Sequence, residues 1–132
     1  TYGHNNRSAQ FRLPQNRYCI ENRAADMTMN VYLALSMTMS AAVEGIEKKI
    51  HPGDPTDQDL YNMSDSEFKK LGIKRLPRNL LMAIEAFKND KLIDEVLGII
   101  MKKSLLAYKN DEWERYHQAV TDWEVKEYLR LY

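Results

Sequence analysis

Hydrophobic period changes once along this chain, near residue 25, and the change divides a sheet-forming segment from a helical one. Before it, side chains alternate. Arg7, Ala9, Phe11 and Leu13 share one parity, and Ser8, Gln10 and Arg12 the other. Arg17, Cys19, Glu21 and Arg23 then stand opposite Tyr18, Ile20 and Asn22. Period two signals strands, and Pro14-Gln15-Asn16 between the runs suits a tight turn. After residue 25 the signals are helical to the end. The expectation is an α+β chain, mainly α: an N-terminal β-hairpin over 1–24, then about five helices over 25–132, in one domain. Alternation puts Glu21 and Arg23 on one face of their strand. A two-stranded hairpin is marginal by itself, so it is expected to belong to a larger sheet whose other strands lie outside this sequence.

The helical part has clear punctuation. Asp26 or Asn30 can start a helix through Val31 to about Lys49. It carries few charges before Glu44, which predicts burial nearly all round. The tail from Glu44 to Lys49 fits emergence at the surface. His51-Pro-Gly-Asp-Pro breaks the chain. Ser64 and Glu67 have capping-box spacing before a short helix ending at Gly72. Past the Leu76-Pro77 break, Asn79 can cap a helix from Leu80 to about Lys88, and Asp90 a short turn to Gly98. A long amphipathic helix is expected from about Ile100 to Ala119, and Thr121 with Glu124 form a second capping box before a last helix. Trp113, Tyr116 and Trp123 are expected to pack the last two helices together. The cluster of Met27, Met29, Met37 and Met39 reads as core packing, and Cys19 as a half-buried strand residue.

Charge narrows the partners. Nineteen basic residues balance nineteen acidic ones over 132 residues, which gives no reason to expect nucleic acid or an anionic membrane. The stretch from Met27 to Val43 is short and polar for a membrane span, which needs about 20 mostly apolar residues. A single cysteine excludes an intrachain disulfide and suits a reducing, cytoplasmic setting. The opening at Thr1 reads as a start in mid-protein. Locally the charge is uneven: residues 1–25 hold Arg7, Arg12, Arg17 and Arg23 against Glu21 alone. A small basic patch in a neutral chain points to a small anion.

Two readings of that patch stand side by side. Arg7, Arg12 and Arg23 can converge with Glu21 at one end of the hairpin. Guanidinium forks match phosphate and carboxylate oxygens, and a carboxylate can hold a hard cation such as Mg²⁺, as phosphoryl transfer requires. Alternatively, the same residues are surface ion pairs on an edge hairpin. A non-catalytic helical module that binds another protein is compatible with the second reading.

Several segments, in one order, resemble the glutamine synthetase family. Asn6-Arg7-Ser8-Ala9 with Arg12-Leu13-Pro14 resembles its "NRSA…RIP" segment, and Glu21-Asn22-Arg23 the end of its "RIEVR" strand. Ala25-Asp26 through Asn30-Val31-Tyr32-Leu33 is similar to "PDxxxNPYL", and Glu44-Gly45-Ile46 with Lys48-Lys49-Ile50 and Pro52 to "DGIxxKIxP". Asp59-Leu60-Tyr61, Leu76-Pro77, Glu112 and Trp123-Glu124-Val125 with Tyr128 continue the match. The resemblance implies the C-terminal part of a catalytic domain from a homo-oligomeric, ATP-dependent ligase. That ligase phosphorylates the γ-carboxylate of glutamate and lets ammonia, or another amine, displace the phosphate. Carried over residue by residue, it implies that Arg7 contacts glutamate and the transferred phosphate, Arg12 the nucleotide phosphates and Arg23 the substrate glutamate. Glu21 is implied as a Mg²⁺ or Mn²⁺ ligand. Tyr61 matches a tyrosine that some bacterial relatives adenylylate. Cys19 departs from the pattern, standing where the family strand has its first arginine; that phosphate contact is then absent or supplied by Arg17. The chain by itself is expected to be inactive.

Overall fold

In the computed structural model, which describes residues 1–131, three short strands precede five helices. These are β1 (Tyr2–His4), β2 (Phe11–Leu13), β3 (Glu21–Asn22), α1 (Val31–Glu47), α2 (Asp65–Lys70), α3 (Leu80–Asn89), α4 (Lys91–His117) and α5 (Asp122–Tyr128). The mainly helical α+β class matches the sequence reading. The chain divides into two units, Thr1–Leu76 and Pro77–Tyr132.

The sheet corrects the expected hairpin in three ways. The antiparallel pair is only β2 with β3, in register Phe11↔Asn22 and Arg12↔Glu21. A turn does stand at Gln15–Asn16, within the expected Pro14–Asn16, but the connection runs on to residue 20 before β3 begins. A third strand, β1, pairs with β2 in parallel, Tyr2 opposite Phe11 and His4 opposite Leu13. Residues 7–9 leave the ladder, and Asn6 captures Ser8 there: its Oδ1 accepts from the Ser8 amide at 2.9 Å and the Ser8 hydroxyl at 2.6 Å. Such side-chain bonds offer the backbone an alternative to strand pairing. Cys19 lies in the 14–20 connection and is exposed, not half-buried in a strand. Its amide donates to the Arg17 carbonyl at 3.1 Å.

The first unit closes by laying residues 53–61 along β1. The Thr56 amide donates to the Tyr2 carbonyl at 2.8 Å, and the Tyr2 hydroxyl to the Gly53 carbonyl at 3.1 Å. Gly3 permits the approach, since a Cβ there would sit 2.3 Å from the Thr56 carbonyl oxygen. Ala9, Leu60 and Phe68 form the buried cluster, with Met63 and Ile73 against it. Phe68 comes from α2, whose start carries the expected Ser64–Glu67 capping box.

Helix α1 is capped by Asn30, as one of the two expected starts, but it is not buried. None of its residues is buried, and Met27, Met29 and Met39 are exposed. Among the described residues no other element packs on it, and apolar composition cannot bury a helix without a facing surface.

In the second unit α3 packs on α4, burying Ile84 and Ile93. The expected break at Gly98 is a kink inside α4, with φ 71° and ψ 164°, a conformation open to glycine. Lys102 spans the kink. Its Nζ pairs with Asp94 Oδ1 at 2.9 Å and donates to the Asp90 carbonyl at 3.3 Å, while the residue is only 8% exposed. Lys102→Met keeps the stem but removes both contacts, and is expected to cost about 1–2 kcal/mol in denaturant unfolding. An unchanged midpoint would show that the clamp carries no stability. The aromatic expectation is corrected: Trp113 stacks on His117 and tilts against Tyr116 within α4, while Trp123 meets Tyr128 within α5. The α4 rings pair at i,i+3 and i,i+4 spacing and the α5 rings meet five residues apart, so each set pairs within its own helix.

Candidate functional site

Strand register builds a charged cluster on one face of the small sheet. Arg12 lies directly opposite Glu21, so their side chains emerge on the same face within reach of each other. Arg12 Nη1 donates to Glu21 Oε2 at 2.9 Å. Arg23 extends β3, its amide donating to the Gln10 carbonyl at 2.8 Å. Two residues after Glu21, it projects to the same side, and its Nη1 donates to Glu21 Oε1 at 2.7 Å. Arg17, from the 14–20 connection, places Nη2 3.6 Å from Oε2.

The cluster is fixed from behind. Arg12 Nη2 donates to Asn5 Oδ1 at 3.0 Å, and Arg23 Nε to the Arg7 carbonyl at 2.8 Å. The same carbonyl accepts from the Tyr61 hydroxyl at 3.0 Å, and that hydroxyl also neighbours the Arg23 side chain. Arg12 Nε is buried with no acceptor. Hydrogen bonds from Arg23 and then Arg12 hold the Glu21 carboxyl below its ordinary value. Glu21 in turn raises Arg23 above the ordinary arginine value.

Thus Arg12, Glu21 and Arg23 are brought together. Arg7 contributes its carbonyl, while its side chain is exposed and takes no part in the ion pairs around Glu21. Tyr61 is 73% exposed and is tied to the cluster through its hydroxyl. Three guanidiniums on one carboxylate leave an excess of two positive charges on a half-open face, which suits an oxyanion.

The donor chemistry of Glu21 suits a hard divalent cation, but one carboxylate is a ligand and not a complete site. Among the described residues no group of three or more His, Cys, Asp or Glu side chains could hold a metal. The described residues also include no helix long and apolar enough to cross a membrane.

Sequence reasoning missed Asn6 and Ser8 as the parts that dock the 56–60 segment. Asn6 Nδ2 donates to the Thr56 and Gln58 carbonyls at 2.6 and 2.8 Å, and the Leu60 amide donates to Ser8 Oγ at 2.9 Å. The "NRSA" resemblance marked these residues without saying what they hold. The 50-residue separation of the partners left no local signal.

A short sheet carrying an arginine-ringed carboxylate thus precedes the helices. Residues 1–128 match the family model described as glutamine synthetase, catalytic domain, and the chain belongs to that family. It is 37% identical to the glutamine synthetase of Methanocaldococcus jannaschii, over 97% of this chain and 29% of the relative. Identity is also 37% with the glutamate–methylamine ligase of Methyloversatilis universalis, over 99% and 29%. Among solved structures, a GmaS/ADP complex superposes with a TM-score of 0.85 at 32% identity, covering 98% of this chain and 29% of that one. The chain thus spans under a third of the length of these relatives.

Proposed function

We propose that this chain is the C-terminal part of the catalytic domain of an ATP-dependent ligase that joins glutamate to ammonia through γ-glutamyl phosphate. The observation that carries the reading is the convergence of Arg12, Arg17 and Arg23 on Glu21, in a chain of this family. In this scheme Arg12 binds nucleotide phosphates and Arg23 the substrate glutamate. Arg7, with its side chain exposed, contacts glutamate and the transferred phosphoryl group. Glu21 is one ligand of Mg²⁺ or Mn²⁺, which when bound supplies charge neutralisation at the phosphates. The guanidiniums do the same from fixed positions, the form of electrostatic stabilisation that phosphoryl transfer uses most.

Methylamine as the amine is the second reading. It is favoured by the similarity to a glutamate–methylamine ligase at the same identity as to a glutamine synthetase. Cytoplasmic location and homo-oligomeric assembly belong to the same proposal and rest on family resemblance. Adenylylation of Tyr61 also belongs here: its hydroxyl is within reach of solvent, and modification would break its bond to the Arg7 carbonyl.

The test is phosphate release dependent on ATP, glutamate and amine. A full-length ligase carrying these residues is expected to release phosphate with ammonia or methylamine, and the larger kcat/KM names the amine. The 132-residue chain by itself is expected to release none. Turnover by this chain would overturn the view that most of the site lies elsewhere. No turnover by the full-length ligase with either amine would overturn the function.

A further inference from the structure

The three arginines around Glu21 are held very differently. Arg12 gives Nη1 to Glu21 and Nη2 to Asn5, and its side chain is 19% exposed. Arg23 gives Nη1 to Glu21 and Nε to the Arg7 carbonyl. Among the described residues Arg17 makes no side-chain hydrogen bond, and its one ion pair is the 3.6 Å approach to Glu21 Oε2, too long for a hydrogen bond. Its side chain is 62% exposed.

From this difference we infer that Arg17 is the anion-accepting arm of the cluster, a residue that binds the polyphosphate of the nucleotide in the place where Cys19 leaves the clamp without a guanidinium. The inference rests on the proposed function and assigns one residue within it. Arg12 and Arg23 already give two donors each to Glu21 and to amide or backbone oxygens, so they meet a ligand from fixed positions with the donors that remain. Arg17 keeps its whole fork of donors uncommitted. An exposed charge contact of its kind is worth little, whereas a bidentate guanidinium–phosphate pair is among the stronger charge-assisted bonds. An arriving phosphate therefore recruits Arg17 without breaking a hydrogen bond. Glu21 Oε2 remains occupied by Arg12 after Arg17 leaves, so the cluster survives the exchange.

Position supports the same assignment. The Cys19 amide bonds to the Arg17 carbonyl at 3.1 Å, a three-residue turn that brings the two positions to one bend. Cys19 is exposed there and has no charge to offer. The side chain two residues earlier reaches the carboxylate that position 19 does not contact.

Steady-state kinetics of the full-length ligase with Arg17→Ala, Arg12→Ala and Arg17→Ala/Cys19→Arg test this. Arg17→Ala is expected to raise the KM for ATP about tenfold while the KM for glutamate changes less than about twofold. The wild type is expected to show the steeper fall of ATP affinity with salt. Cys19→Arg in the Arg17→Ala background is expected to recover most of the loss. In binding titrations, ADP is expected to lose affinity on Arg17→Ala more than inorganic phosphate does, since the polyphosphate and not a lone phosphate is the ligand. An unchanged KM for ATP in Arg17→Ala, with a raised one in Arg12→Ala, would overturn this inference and leave the proposed function standing. Equal rises for ATP and glutamate together with a lowered melting temperature would overturn it in favour of a structural role. Unchanged kinetics in both single variants would overturn the proposed function itself.

Discussion

Glu21→Ala is expected to lower the kcat of the full-length ligase by on the order of 10³-fold, more than any other single change in the sheet. The carboxylate is the common partner of Arg12, Arg17 and Arg23. Removing it leaves three cations on one face with no counter-charge, and like charges at this separation push apart. Arg12 keeps Asn5 and Arg23 keeps the Arg7 carbonyl, so each side chain retains one anchor. What is lost is their convergence, together with one proposed metal ligand. Glu21→Gln separates the two losses, because it keeps the shape and one acceptor oxygen but removes the charge. It is expected to fall between wild type and Glu21→Ala. Activity within tenfold of wild type in Glu21→Ala would sink the catalytic assignment of the cluster.

The same carboxylate gives the cluster a pH limit. Arg23 and Arg12 lower the Glu21 carboxyl below its ordinary value of 4.5. A group depressed in the folded state stabilises it above the unfolded value and loses that contribution as pH falls through the folded value. The cluster is therefore expected to stay intact at neutral pH and to release its arginines only in acid below about 4.5. Side-chain Nε resonances of Arg12 and Arg23, followed through an acid titration, report this directly. Release of both at pH 6 would contradict it.

Local chemistry made much of the fold legible. The Ser64–Glu67 and Thr121–Glu124 boxes, the Asn79 cap and the Gly98 break each depend on residues within four positions of one another, and each stands where the sequence puts it. Burial was less legible because it depends on what faces a residue. Helix α1 reads as a core helix, yet among the described residues no element covers it. Strand β1 has three residues, too few for a period to register, and it pairs in parallel across a loop that turns at Asn5, with φ 52°. Within the candidate site, Arg12, Glu21 and Arg23 were legible because strand alternation places them. Arg17 was legible only as one of two ways around Cys19, because an irregular loop has no period from which to read a direction. Arg7 was grouped with the clamp as one guanidinium of the basic patch, although alternation sets it on the parity opposite Arg12, and its side chain takes no part in the ion pairs around Glu21.

The departure of residues 7–9 from the sheet makes Asn6 the second sensitive position. Asn6→Ala is expected to destabilise the first unit by about 2–6 kcal/mol, taking each of the four lost hydrogen bonds at roughly 0.5–1.5 kcal/mol. Its amide satisfies four partners: two Ser8 donors on one side and the Thr56 and Gln58 carbonyls on the other. The Leu60 amide depends on Ser8 Oγ, and Leu60 belongs to the buried cluster with Ala9 and Phe68. Loss of Asn6 therefore reaches the core of the unit and frees the segment that carries Tyr61. Hydrogen exchange is expected to quicken at the Thr56 and Leu60 amides, while α3 and α4 amides serve as an internal control. Asn6→Asp discriminates the mechanism. It keeps acceptors for Ser8 but turns an acceptor toward two carbonyl oxygens, so it is expected to be at least as harmful as alanine. Wild-type exchange at Leu60 in either variant would mean that the loop is held by Gly3 packing and the Thr56–Tyr2 backbone bond instead.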